Sequence, residues 1–238
     1  MATMTGGEVL ARQLATEGID RVFLIPGVQL DHATEGLRRL EGKVALTVPR
    51  HEQATSYMAD GYARSTGKIG VCMVVPGPGL LNATAGLATA YGCNSRVFCI
   101  AAQIHSGGIG RGFGLLHEVP NQSETLASVT KWSAMARSPA EIPGLVRKAV
   151  SELRSGRPRP VGLEIPPDIL AAEGDVDLFP PSSGQDGRVP PDSGTLLRAA
   201  ELLDRASYPV IVVGGGVIAA GLLTRFGAWR RSCRLRSS

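Results

Sequence analysis

The chain has 238 residues, enough for one large domain or for one complete domain plus part of another. Its apolar fraction of 43% and charged fraction of 19% are typical of a globular protein. No apolar run approaches the roughly 20 residues that a membrane-spanning helix requires. The N-terminus also lacks the charged and apolar blocks of a signal peptide. We therefore expect a cytoplasmic protein that does not associate with a membrane.

The formal charge of +4 arises at the C-terminal end. Residues 222–238 contain five arginines and no acid, so the rest of the chain carries 4 − 5 = −1. The high isoelectric point thus belongs to the tail and not to the folded body, and we expect no nucleic-acid-binding surface.

Strand and helix patterns alternate along the first 165 residues. In chain order, the strand patterns cover 21–25, 44–48, 69–75, 97–102, 132–135 and 161–165. The helical patterns cover 7–17, 29–40, 53–65, 80–91, 120–129 and 138–155, the last with Ser138 as its N-cap. This alternation predicts an α/β fold with a doubly wound, mainly parallel sheet and helices on both faces.

Composition divides the chain into segments. Residues 1–170 form the first predicted domain, and residues 171–193, rich in Pro, Gly and Ser, form a predicted linker. Residues 194–221 begin an incomplete second α/β domain, with a helix over 195–206 and a strand over 209–213. The alternation stops there, which predicts that the second domain is truncated.

Residues 222–238 form an aberrant basic tail in which arginines alternate with Phe226, Trp229 and Leu235 without a helical stripe. GC-rich codons for this tail can be chosen so that an adjacent frame, entered within the Gly221 codon, encodes Ala-Ala-Asp-Ala-Leu-Arg-Arg-Leu-Ala-Glu-Glu-Leu-Pro-Val-Ala. That peptide has the pattern of an amphipathic helix. The pattern favours a frameshift or sequencing error near codon 221, and the alternative is a genuine basic tail that binds an acidic surface.

Glu52 has an informative position. The strand pattern over 44–48 stops at Pro49, and Arg50-His51-Glu52-Gln53 opens a helix, which places the carboxylate at the carboxyl end of a strand. Open α/β sheets bind ligands at that end. Taken alone, a glutamate in a first helical turn is more often a favourable charge at the positive end of the helix.

Two further turns support a ligand site. Pro26-Gly27 ends the first strand pattern, and Pro76-Gly77-Pro78-Gly79, followed by Asn82, ends the third. Glycine in such turns lets the backbone approach a ligand closely. Together with Arg50-His51-Glu52-Gln53, these motifs resemble the pyrimidine-binding domain of thiamine-diphosphate enzymes of the acetolactate synthase and 2-oxo-acid decarboxylase group.

The resemblance implies roles for individual residues. Glu52 would be catalytic and would hydrogen-bond N1′ of the cofactor's aminopyrimidine ring. The other residues implied to bind the cofactor are Pro26, Gly27, Gly77, Pro78 and Asn82. Val28 and Pro76 depart from the family pattern, which has a second glycine and a hydroxyl residue there. An ordinary strand-to-helix turn remains the alternative for Pro26-Gly27.

On the substrate side, the resemblance implies roles for Gln103, His105 and His117. Gln103 follows the strand pattern over 97–102, and the two histidines flank a glycine-rich loop. A solvated loop histidine is the alternative interpretation for each of them.

Full-length members of this group bind the cofactor's diphosphate through Mg²⁺ with a Gly-Asp-Gly motif, which does not occur in this sequence. No His, Cys, Asp or Glu cluster has the spacing of a metal site either. The resemblance implies thiamine diphosphate as cofactor, a small 2-oxo acid as substrate, and a homodimer or homotetramer with the site between subunits. It leaves a role for FAD open. The alternative function is a non-catalytic fragment or accessory subunit that contributes only a dimer interface.

The nucleotide sequence tests the frameshift hypothesis. We expect the adjacent frame to continue past codon 221 into a long open reading frame that encodes Gly-Asp-Gly. A stop codon shortly after codon 221 in that frame would contradict the hypothesis and leave the basic tail as a genuine feature.

Overall fold

The computed structural model describes residues 2–182 and 191–232. The chain divides into two compact units, Met1–Gly187 and Arg188–Ser238. Among the described residues, no helix combines the length and the apolar character needed to cross a bilayer.

A six-stranded sheet forms the centre of the first unit. Its strands are β2 (Arg21–Leu24), β3 (Ala45–Thr47), β4 (Gly70–Val74), β5 (Val97–Ala102), β6 (Trp132–Met135) and β7 (Val161–Ile165). They lie in the order β3-β2-β4-β5-β7-β6, and every neighbouring pair is parallel. The predicted doubly wound parallel sheet is confirmed.

Helices cover both faces of this sheet, as the sequence predicts. They are α1 (Gly6–Thr16), α2 (Asp31–Arg38), α3 (Glu52–Thr66), α4 (Pro78–Gly92), α5 (Gln122–Ser128), α6 (Ile142–Arg154) and α7 (Pro167–Ala171). Alternate strand residues enter two separate apolar clusters, one packed with α1 and α6 and the other with α3 and α4. A parallel strand buried on both faces explains the nearly continuous apolar runs of β4 and β5.

A second, two-stranded sheet was missed by the sequence analysis. The antiparallel strands β1 (Ala2–Thr5) and β8 (Glu173–Val176) pair through register Ala2 to Val176. The predicted linker over 171–193 is therefore wrong for β8, which forms part of the first unit. Gln13 fixes the next residues, because its Oε1 accepts from the Phe179 N–H at 3.0 Å.

The predicted helix start at Ser138 is also wrong in detail. Residues 139–141 form a 3₁₀ turn, α6 begins at Ile142, and the Ser138 side chain makes no capping hydrogen bond. The Glu141 carboxylate instead accepts from the Arg137 N–H at 3.0 Å. The hydrogen bond of the Glu141 carboxylate thus takes the place of the predicted N-cap at Ser138.

The second unit is helical in its described part. It contains α8 (Ser193–Arg205), α9 (Gly215–Ala219) and α10 (Leu223–Ser232). The predicted strand over 209–213 is absent, and the side chains of Val210 and Val212 are 87% and 91% exposed. A lone strand has no neighbour to accept its backbone hydrogen bonds, so the strand pattern has no sheet to join.

The basic tail also differs from its prediction, since α10 makes residues 223–232 helical. The rings of Phe226 and Trp229 lie 5.7 Å apart on that helix. Residues 183–190 of the predicted linker and 233–238 of the tail lie outside the described residues.

Three cysteines of the described residues carry free thiols. Cys72 and Cys99 are buried and free, and Cys93 is free but exposed. Hydrogen bonding from Cys72 and burial raise the pKa of the Cys99 thiol well above its usual value, so that thiol stays protonated and inert.

Helices α1 and α2 approach each other through two glycines, and this contact generates a stability prediction. A methyl group on Gly36 would lie 2.4 Å from the Gly7 carbonyl oxygen, whereas one on Gly61 of α3 would meet nothing within 4 Å. We expect Gly36→Ala to lower the free energy of unfolding by about 1–3 kcal/mol because the helices must separate. Urea denaturation measures the change.

Gly61→Ala is the matched control, since it also adds one methyl group inside a helix. We expect it to raise the free energy of unfolding by roughly 0.5–1 kcal/mol, the difference in helix propensity. Equal effects of the two substitutions would contradict the proposed steric cause.

Candidate active site

The parallel sheet brings three strand-to-helix turns to one edge. β3, β2 and β4 are neighbours, and the carboxyl ends of parallel strands lie at the same edge of a sheet. Gly27 follows β2, Glu52 is the first residue of α3 after β3, and Gly77 precedes α4 after β4. The order of the strands therefore places the turn at Gly27, the start of α3 at Glu52 and the turn at Gly77 side by side.

Glu52 and Asn82 are directly connected. The Asn82 Nδ2 atom donates a hydrogen bond of 2.9 Å to Glu52 Oε2. The Glu52 side chain is half-buried, and within 2–182 and 191–232 no donor is bonded to its second oxygen, Oε1. The carboxylate is thus oriented by one amide and retains an oxygen that can bind a ligand.

Close packing of α3 against α4 creates this contact. A methyl group on Gly86 would lie 2.2 Å from the Ser56 Oγ atom, so only glycine fits there. At the start of α3, His51 serves as the N-cap, since its Nδ1 atom accepts from the Gln53 N–H at 3.2 Å. His51 therefore has a structural role next to Glu52.

Val75 packs between the two glycine turns. A methyl group on Gly27 would lie 2.4 Å from Val75 Cγ1, and one on Gly79 would lie 2.6 Å from Val75 Cγ2. The Gly79 position is also 3.8 Å from Glu52 Cγ. The lack of side chains at Gly27 and Gly79 therefore lets both turns pack against Val75 close to Glu52. Pro26 and Pro78 are exposed at the rims of the two turns.

Gly77 occupies a strained and crowded position. Its φ is +55°, a region that favours glycine, and a methyl group would lie 2.2 Å from the His117 carbonyl oxygen. Its N–H donates to Gln122 Oε1 at 2.7 Å. The His117 side chain has a buried Nδ1 without a hydrogen-bond partner. The loop that carries His117 therefore lies against the Gly77 turn.

The other predicted substrate-side residues differ in position. Gln103 is buried, and its Nε2 donates to Glu164 Oε1 at 3.1 Å while its Oε1 accepts from the Ile104 N–H at 2.8 Å. His105 is exposed, and its Nδ1 accepts from the Gly107 N–H in its own turn. Gln103 is thus connected to the Gly77 turn through a buried network, whereas the hydrogen bond of His105 is local.

Three polar residues near the site were missed as functional candidates: Gln122, Glu164 and Asp168. Glu164 is 2% exposed in the middle of the apolar strand β7, and a single acid in a buried strand is the signal that could have found it. Asp168 accepts hydrogen bonds from the N–H and the hydroxyl of Ser106 at 2.9 and 2.5 Å, which anchors the start of the loop after β5.

Several large apolar side chains on the turns, helices and loop of the candidate site are exposed. Val28 is 64% and Leu81 48% exposed, and further exposed members of the set are Val48, Tyr57, Met58, Phe113 and Leu116. We call these seven residues the apolar rim. Clusters of exposed apolar side chains are typical of surfaces that contact another protein. Among the described residues, no group of three or more His, Cys, Asp or Glu side chains is arranged to hold a metal ion.

Residues 4–125 match the model of the thiamine pyrophosphate enzyme family, N-terminal TPP binding domain. The chain belongs to this family. The match covers about half of the chain and includes Glu52, Gly77, Asn82 and Gln103. The family assignment agrees with the resemblance that the turn motifs indicate.

Several curated proteins are similar over 92–93% of the chain. A probable 2-ketoarginine decarboxylase of Pseudomonas aeruginosa is 42% identical, an acetolactate synthase of Arthrospira platensis 36%, and the acetolactate synthase isozyme 3 large subunit of Escherichia coli 34%. The matched region is 38–39% of the length of these relatives, so the chain spans about two fifths of each.

Asp168 generates a pH prediction. Its burial raises the pKa, but the hydrogen bonds from Ser106 and the nearby His105 outweigh burial and lower the pKa below its usual value of 3.8. A lowered folded-state pKa contributes stability above the unfolded pKa, and this stability is lost as the pH falls through the folded pKa. We expect Asp168→Asn to lower the free energy of unfolding by about 1–2 kcal/mol near neutral pH.

Urea denaturation of both proteins between about pH 7 and about pH 2 measures this difference. The gap between wild type and variant should close as the pH falls through the folded pKa of Asp168. A gap that stays constant over the whole range would show that the Asp168 charge does not stabilise the loop.

Proposed function

We propose that this chain supplies the half of a thiamine-diphosphate site that binds the aminopyrimidine ring, and that Glu52 is its catalytic residue. The observation that carries the proposal is the Glu52 carboxylate, held on one oxygen by Asn82 at 2.9 Å at the carboxyl edge of the sheet. The complete enzyme would decarboxylate a 2-oxo acid and transfer the resulting carbanion.

The donors and acceptors at this edge fit an aminopyrimidine. Glu52 Oε1 is available to share a proton with a ring nitrogen, since the described hydrogen bond of the carboxylate uses Oε2. Glycine at 27 lets the backbone of its turn approach a flat ring closely. The Gly77 turn is held in place, since its N–H donates to Gln122 Oε1 at 2.7 Å. Pro26, Pro78 and Asn82 would complete the contacts. When bound, thiamine diphosphate supplies the electron sink for decarboxylation.

The role of each residue follows from its position. Glu52 would hold or release a proton at Oε1. A change in its charge would alter the electrostatic environment of the ring that it contacts. Asn82 keeps the carboxylate in one orientation, which lowers the entropic cost of binding. Val75, packed between the two glycine turns, keeps those turns in fixed positions. Gln103 and His117 would face the 2-oxo acid, and His105 would lie at the entrance of the loop that carries His117.

The apolar rim supports a second subunit over the site. Val28, Val48 and Leu81 are all about half or more exposed next to the Glu52 turn. Burial of such side chains stabilises association, so we propose a homodimer or homotetramer in which Glu52 serves a cofactor held in part by another chain. The cofactor's diphosphate and its Mg²⁺ would bind outside the present sequence, and no residue in it is assigned to FAD.

The relatives support a 2-oxo acid as the substrate class. They are a probable 2-ketoarginine decarboxylase and acetolactate synthases. We propose acetolactate-synthase-like chemistry, in a cytoplasmic enzyme, and we propose that the isolated chain is inactive because it contributes one half of the site.

Binding of the ring can be tested without the rest of the cofactor. We expect 4-amino-5-hydroxymethyl-2-methylpyrimidine to shift the backbone amide signals of Gly27, Glu52 and Gly77 in ¹H–¹⁵N NMR titrations. Glu52→Gln should abolish these shifts, since the amide cannot share a proton with the ring in the same way.

Glu124→Gln is the matched control, because Glu124 is also an acid in a first helical turn but lies exposed on α5. It should leave the titration unchanged. If wild type shows no shifts, the chain contributes only an interface, which is the alternative function. Release of CO₂ from pyruvate by the isolated chain with thiamine diphosphate and Mg²⁺ would contradict the proposed inactivity.

A further inference from the structure

A buried carboxylate beneath the candidate site has no assigned role. Glu164 lies in β7 with 2% of its surface exposed, and the two strands beside it, β5 and β6, are parallel to it. Removal of a carboxylate from water has a large free-energy cost unless its oxygens are hydrogen-bonded. The question is therefore which groups bond to it.

The hydrogen-bond partners of the Glu164 carboxylate among the described residues come from segments next to the site. Oε1 accepts from Gln103 Nε2 at 3.1 Å and from Gln122 Nε2 at 2.8 Å, and Oε2 accepts from the Ser123 hydroxyl at 2.5 Å. Gln103 follows β5, and Gln122 and Ser123 begin α5. One carboxylate thus fixes side chains from two separate parts of the chain.

Gln122 transmits this arrangement to the Gly77 turn. Its Nε2 atom donates to Glu164 and also to the Ala102 carbonyl oxygen at 2.8 Å. Because both amide hydrogens are directed at acceptors, the Oε1 atom on the opposite side of the amide must point away from them. That oxygen accepts from the Gly77 N–H at 2.7 Å. The charge on Glu164 thereby determines which end of the Gln122 amide faces the turn.

The same charge determines the orientation of Gln103. Glu164 accepts from Gln103 Nε2, which leaves Gln103 Oε1 to accept from the Ile104 N–H. A donor in place of the carboxylate oxygen would favour the flipped amide, and both glutamines would then present the opposite end to their backbone partners. Cooperative networks of this kind hold several groups in one arrangement.

We propose that Glu164 is a positioning residue that, through Gln122, holds the Gly77 turn of the proposed cofactor site and, in parallel, the amide of Gln103 on the substrate side. This role rests on the proposed function of the Gly77 turn. Glu164 itself is buried and touches neither ligand. It acts by coupling two sides of the site, so both sides lose their geometry together when the carboxylate is removed.

Glu17 provides a matched control in the same unit. It is also a buried glutamate, at 4% exposure, and it accepts from Gln13 Nε2 at 3.3 Å and from the Ser182 N–H at 3.1 Å. Its partners lie in α1 and in the segment after β8 and not at the candidate site. Glu17→Ala therefore removes a comparable network without affecting Gly77 directly.

Hydrogen exchange of the Gly77 amide, measured by NMR on the full chain, tests the coupling without any cofactor. We expect Glu164→Ala to accelerate this exchange on the order of tenfold relative to wild type, as for the loss of one hydrogen bond. Glu164→Gln, which keeps one carbonyl oxygen, should produce a smaller acceleration and serves if the alanine variant fails to fold. Glu17→Ala should leave Gly77 exchange at the wild-type rate.

A double variant identifies Gln122 as the connection. Gln122→Ala alone should accelerate Gly77 exchange, and the addition of Glu164→Ala should produce little further change, because both substitutions break the same relay. Additive effects, or equal Gly77 exchange in Glu164→Ala and Glu17→Ala, would overturn the proposal.

The pyrimidine titration separates this proposal from the proposed function. With the coupling intact and the function correct, Glu164→Ala weakens the shifts at Gly77, whereas Glu17→Ala does not. If wild type fails to bind the pyrimidine but Gly77 exchange still responds to Glu164→Ala, the proposed function is wrong and the positioning role of Glu164 is supported. If wild type binds the pyrimidine and Gly77 exchange does not respond, only the positioning role of Glu164 is wrong.

Discussion

The parallel alignment of the strands is the constraint on which the rest of the structure depends. Neighbours β3, β2, β4 and β5 all run in the same direction, so the chain must return to the opposite edge through a helix after each of them. Every return begins at the same edge of the sheet. The turn at Gly27, the turn at Gly77 and the first residue of α3 therefore meet there, although they are far apart in the sequence.

Small residues convert this proximity into contact. Gly86 lets α4 approach the Ser56 hydroxyl of α3, and Gly77 lets the His117 backbone approach the turn. Helix–helix separation is set by the side chains at the crossing, so a larger residue at Gly86 would move α4 away. The 2.9 Å hydrogen bond between Asn82 and Glu52 depends on that separation. The hydrogen bond at the site thus depends on the close packing that the glycines allow.

The two glutamates of this region occupy contrasting environments. Glu52 is half-buried and has one described donor on one oxygen, whereas Glu164 is buried and has donors on both oxygens. A carboxylate with an available oxygen is suited to exchange a proton with a ligand, and a fully bonded one is suited to hold its neighbours. Glu52 thus retains an oxygen open to a ligand, whereas both oxygens of Glu164 are used by its neighbours.

Much of this arrangement was predictable because the sequence patterns that indicate it extend over many residues or lie within short motifs. The alternation of apolar strand runs and amphipathic helices continues over 165 residues, which predicted the parallel sheet. Glu52 and Gly77 stand in short motifs at strand ends, so their placement at one edge followed from the strand direction. The motifs also predicted the family, which the match over residues 4–125 confirms. Their functional roles stay predictions.

The buried network was not predictable, because Glu164 bonds to partners 42 and 61 residues away in the chain. A single acid in a five-residue strand has no periodicity that would identify those partners. Strands β1 and β8 have four residues each, too few for an alternating pattern to stand out. The apolar pattern over 209–213 predicted a strand because local sequence cannot show that a neighbouring strand is missing.

The packing of Val75 against both glycine turns links three positions in evolution. Gly27 and Gly79 are each excluded from carrying a methyl group by a different branch of the same valine side chain. A single change from glycine to alanine at either position meets a clash with Val75, while the same change after shortening of residue 75 to alanine would meet only ordinary contacts of 3.5–3.8 Å. Substitutions at positions 27 and 79 should therefore be tolerated only together with, or after, a smaller side chain at position 75.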